Sequence, residues 1–61
     1  MMKKADLIRE IVQAKIAYWK DASPEYQHDG KEEQLYKNYS RWTKEMLLMQ
    51  YNSLKEKGYI K

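Results

Sequence analysis

A chain of 61 residues, 43% hydrophobic and 34% charged, has the composition of one small globular domain rather than that of a disordered or membrane-spanning protein. With no Cys and a single His it carries neither a disulfide framework nor a structural zinc set, so stability must come from helix packing, self-association or a partner. The net charge of +3 leans toward phosphate or acidic partners while staying within ordinary solubility charge.

The opening Met1-Met2-Lys3-Lys4 is followed by Asp6, Arg9 and Glu10 where a signal peptide would be apolar. Together with the absence of Cys this predicts a cytoplasmic protein. Ala5, Ile8, Val12, Trp19 and Ala22 keep a 3-4 spacing whose missing member is Lys15. That period predicts a helix over about 3–21. Leu7, Ile11, Ile16 and Tyr18 widen its apolar stripe to roughly 200° of arc, more than one facing helix covers.

Ser23-Pro24-Glu25 ends this helix, because proline does not continue a preceding helix without loss. A connector over about 22–30 follows, closed by Gly30, with Asp29 and Glu32 spaced as a capping box. The spacing leaves open whether Pro24 to His28 forms a helical turn.

From about 31 to 57 no Gly or Pro interrupts the chain, and Leu35, Tyr39, Trp42, Met46, Met49 and Ser53 keep a 4-3-4-3-4 spacing. These positions predict one long second helix. If Gly58 is its left-handed stop, Leu54 and Tyr59 occupy the paired positions of a Schellman motif. The expected fold is a single all-α helical hairpin, two antiparallel helices joined by a short connector. Its surplus apolar width is relieved by dimerisation into a four-helix bundle.

Lys15 is the main local conflict, a charge near the centre of an apolar arc. Its stem packs while the ammonium reaches the rim, or it pairs with a carboxylate from another helix and fixes register. The chain has six Tyr and two Trp but no Phe. Such a choice suits half-wet boundary positions, and Tyr, Trp and Met are also the types enriched at interfaces. The candidate protein interface is therefore Lys15, Tyr18, Trp19, Tyr39, Trp42, Met46 and Met49.

Lys37, Arg41 and Lys44 fall within about 60° on a continuous helix, with Lys55 on the same line three turns on. With Tyr51 for stacking, they form the alternative, a nucleic-acid-binding site on a dimer. Glu25-x-x-His28 has the spacing of a di-iron ligand pair, but a lone four-residue match inside a connector predicts no metal. No nucleophile triad, phosphate-cradling glycine loop or cofactor motif is present, so no enzyme, cofactor or small-molecule substrate is expected. Two long helices also fail to supply the three short helices of a helix-turn-helix.

The leading expectation is a small non-enzymatic adaptor or inhibitor-like regulator that binds another protein stoichiometrically, of a size that suits a phage or mobile-element modulator. A nucleic-acid-binding dimer and a purely structural self-associating bundle are the alternatives. Partners would be a second copy or a larger protein, with no membrane involved.

Overall fold

A computed structural model describes residues 2–25 and 30–60. Three α-helices follow in order and no strand occurs among these residues: α1 (Lys4–Ala22), α2 (Lys31–Tyr39) and α3 (Lys44–Glu56). The all-helical reading holds, and the start of α1 and of α2 fall within a residue of expectation. The continuous helix over 31–57 does not form. It is broken at Ser40, Arg41, Trp42 and Thr43. The proposed box at Asp29, the helicity of Tyr26 to His28, and His28 itself lie outside the described residues.

The break is built from side chains that finish one helix and start the next. The Ser40 N–H donates to the Tyr36 carbonyl at 3.0 Å, and the Ser40 hydroxyl donates to the Lys37 carbonyl at 2.7 Å. The N–H groups of Arg41 and Trp42 take the carbonyls of Asn38 and Tyr39. Carbonyls that a helix end would leave orphaned are thus satisfied without a glycine. Thr43 then caps α3, its hydroxyl accepting from the Met46 N–H at 3.2 Å. A capping Thr in this position is worth about 1 kcal/mol.

Two contacts fix the direction of each helix. The Lys4 ammonium donates to the Ser40 carbonyl at 3.1 Å, which sets the end of α2 beside the start of α1. The Tyr59 ring packs edge-on against Tyr18 at 5.5 Å between centroids, and its hydroxyl bonds to Asp21, setting the end of α3 beside the end of α1. At 1.5 Å per residue the 13 residues of α3 span about 20 Å, about the distance from Lys4 to Tyr18 along α1. α3 therefore travels back along α1. A two-helix hairpin would have carried Tyr59 to the opposite end.

This reversal changes which residues are core. On a straight helix Leu47 and Leu54 would sit about 100–120° away from the line through Leu35, Tyr39, Met46 and Met49, so both groups could not face α1. Breaking the helix resets its phase. Leu35 and Tyr39 face inward from α2, Leu47 and Leu54 from α3, and they meet Leu7, Ile8, Ile11, Val12 and Ala14 of α1. Leu7, Ile8, Ile11 and Val12 of the wide α1 stripe are covered by two short helices of its own chain, while Ile16, Tyr18 and Trp19 are half-buried and Ala5 and Ala22 exposed. The centre of the stripe therefore needs no second copy to cover it. The ground for excluding a helix-turn-helix, that only two long helices exist, falls as well.

The C-terminal stop forms as read from the sequence. Gly58 has φ +88°, its N–H reaches the Lys55 carbonyl at 3.0 Å, and the Tyr59 N–H reaches the Leu54 carbonyl at 3.0 Å. These are the two bonds of a Schellman motif. They turn the chain so that Ile60 returns into the core.

Candidate functional site

The residues expected at a protein interface divide into separate groups. Tyr39 is 5% exposed and belongs to the core, where its ring meets Trp42 edge-on at 4.7 Å across the α2–α3 turn. Burial raises its phenol pKa above the ordinary value of 10.0. It therefore supports the surface from beneath. Trp19 is half-buried and packs against the core from the second half of α1.

Lys15 and Tyr18 form a second group at the far end of α1. Lys15 is half-buried, with its ammonium 5.8 Å from the centre of the Tyr18 ring, and the ammonium of Lys57 lies 5.2 Å from the same ring. Tyr59 closes this cluster. Its hydrogen bond to Asp21 is the main cause that raises its pKa above 10.0, with desolvation and the charge of Asp21 acting in the same direction.

A tyrosine that holds its proton more tightly when folded adds stability at pH values below 10, and loses it as the pH climbs through the raised value. We expect thermal melts of the protein to be level from neutral pH to about 9 and to fall above pH 10. Tyr59→Phe should flatten the part of that fall that belongs to the Asp21 bond. An identical alkaline slope in the variant would show that the bond does not persist in solution.

Trp42, Met46 and Met49 form the third group. They line a shallow depression with Gln50 and Ser53 along one side of α3. Met49 is 74% exposed and Met46 is 46% exposed, although the helix they share buries Leu47 completely. A second depression, lined by Leu35, Asn38, Tyr39, Arg41 and Trp42, shares the same indole. Trp42 is the wall common to both. Its place was legible as part of an apolar stripe, but only Leu35 and Tyr39 of that stripe reach the core, and from Trp42 to Met49 it marks an edge of the fold.

The expected basic line is redistributed too. Lys37 stays on α2, Arg41 sits in the turn, and Lys44 opens α3, all exposed, whereas Lys55 lies eleven residues further along, near the end of α3. Tyr51 is half-buried against the core. Neither joins the other three. The chain order hid a further member, since Lys4 reaches the same turn from the start of α1.

Among the described residues no group of three or more His, Asp or Glu could hold a metal ion, and no helix is long and apolar enough to cross a membrane. The chain matches no protein-family model, no curated protein and no solved structure. The reading of its role rests on its own surface.

Proposed function

We propose that this protein is a small non-enzymatic binding module that acts stoichiometrically on another protein through the Trp42, Met46 and Met49 strip. The observation that carries the reading is the contrast within α3, where the core is closed by Leu47 and Leu54 while Met49 stays 74% exposed beside Met46 and Trp42. A helix this short gains no stability from a thioether held in water. An adaptable apolar patch around an indole has the composition of an interface centre.

Three side chains, of which one is more than half exposed, offer a small part of the roughly 800 Å² per partner that a stable interface covers. The strip alone is too small to hold two copies together. A larger protein that brings its own surface to the rest of α3 fits better, which favours an adaptor or inhibitor over a self-assembled bundle.

The test combines capture with reconstitution. The protein, immobilised, should retain one dominant protein from a lysate of its source cell, and the purified pair should elute as a one-to-one complex on size exclusion. Met46→Glu and Met49→Glu should each weaken that complex by about tenfold or more, the effect expected of an interface centre, with helicity unchanged by circular dichroism. A complex that both variants leave intact would place the interface elsewhere and end this reading.

A further inference from the structure

The fold gathers cations at one end of the molecule that the sequence keeps far apart. The contact between the Lys4 ammonium and the Ser40 carbonyl brings Lys3 and Lys4 to the turn that carries Arg41, with Lys37 one helical turn before it and Lys44 just after it. All five side chains are exposed. Of the acids near this end, Asp6 is committed to Arg9 at 2.9 Å, and Glu33, one turn before Lys37 on α2, and Glu45 remain against the five cations. The depression lined by Leu35, Asn38, Tyr39, Arg41 and Trp42 opens in the same place. It offers a half-exposed indole, a carboxamide and a guanidinium, which are the groups that stack on a nucleobase and bond to its edge.

We propose that this end of the molecule binds single-stranded nucleic acid. A base stacks on Trp42 in the depression beside Asn38 and Arg41, and the flanking phosphates run over Lys3, Lys4, Lys37 and Lys44. Sequence-independent phosphate attraction supplies most of the affinity and the indole supplies the preference for an unpaired strand. Duplex DNA fits less well. The outward side of α3, the helix that would enter a groove, carries Glu45 and Glu56 on either side of Asn52, all exposed. Carboxylates there would face the phosphates of a duplex.

This site does not depend on the protein-binding reading. It shares Trp42 with the apolar strip, but its other lining residues are different ones and Met49 is not among them.

Fluorescence anisotropy with a labelled single-stranded 12-mer of mixed sequence tests the proposal. The logarithm of the association constant should fall with the logarithm of salt at a slope of about −3, as four or five phosphate contacts on a single strand require. Lys37→Glu combined with Arg41→Glu should lower affinity by about tenfold or more near 50 mM salt. Lys20→Glu combined with Lys55→Glu makes the same change of net charge away from the site and should have a much smaller effect. In a Trp19→Phe background, the emission left belongs to Trp42 and should be quenched on binding. Met49→Gln, which removes the apolar group without adding a charge, should leave oligonucleotide affinity unchanged, so failure of one reading does not carry the other with it. The proposal is overturned by binding without salt dependence or no binding at all, or by equal losses in the two charge-reversal pairs. Unquenched Trp42 emission, or equal affinity for a duplex of the same length, would overturn the single-strand assignment.

Discussion

Leu47→Ala is expected to cost about 2–5 kcal/mol, because it removes a fully buried side chain between α1 and α3. A domain of this length has about 3–9 kcal/mol to lose at the usual 0.05–0.15 kcal/mol per residue. The variant should therefore lose a large share of its stability and show a strongly lowered urea midpoint. Met49→Ala, two residues away, should stay within about 0.5 kcal/mol of the parent because its side chain is in water. The pair discriminates between the two architectures. On an unbroken helix over 31–57 the ranking inverts, with Met49 on the seam and Leu47 about 120° from it. A urea titration in which Met49→Ala is the more damaging substitution would refute the three-helix arrangement described here.

How far the fold could be read from the chain turns on these same residues. The first helix, the start of the second at Lys31 and the stop at Gly58 were legible because each rests on local chemistry: a 3-4 apolar spacing, proline and glycine punctuation, and a left-handed stop with its flanking apolar pair. The reversal at Ser40 to Thr43 was not, because no glycine or proline marks it. Its signals were there in weaker form. Ser40 and Thr43 are both capping types, and Trp42 and Leu47 stand at the two positions of a hydrophobic staple around a Thr43 cap. They were outweighed by an unbroken periodic stripe. That stripe also explains why the expected interface residues separate into groups. Period alone says that Tyr39, Trp42, Met46 and Met49 line up, and only the change of direction at Ser40 decides which of them the core receives. The basic end was illegible for a different reason. Lys3 and Lys4 join Lys37, Arg41 and Lys44 through a contact that spans 36 positions in the chain, and no spacing rule reaches that far.

The return of α3 to the end of α1 places an unusual demand on Gly58, and Gly58→Ala should destabilise the whole molecule by about 1–2 kcal/mol, the cost of holding a side-chain-bearing residue in the left-handed region. A Cβ at this position would meet nothing within 4 Å, so the loss comes from the backbone at φ +88° and not from collision. The chain cannot evade it by fraying. Releasing Gly58 would undo the bonds from Gly58 to Lys55 and from Tyr59 to Leu54, pull Ile60 out of the core, and strip Tyr59 from Tyr18 and Asp21. For a domain of this size the melting temperature should drop by roughly 4–15 °C. Gly58→Asn should fall less, since asparagine enters that region more readily than alanine. If alanine were as stable as glycine, residues 58–60 would not be wrapped back in solution. The Tyr59→Phe variant would then also lose its effect on the alkaline melt, because both measurements depend on the same closing turn.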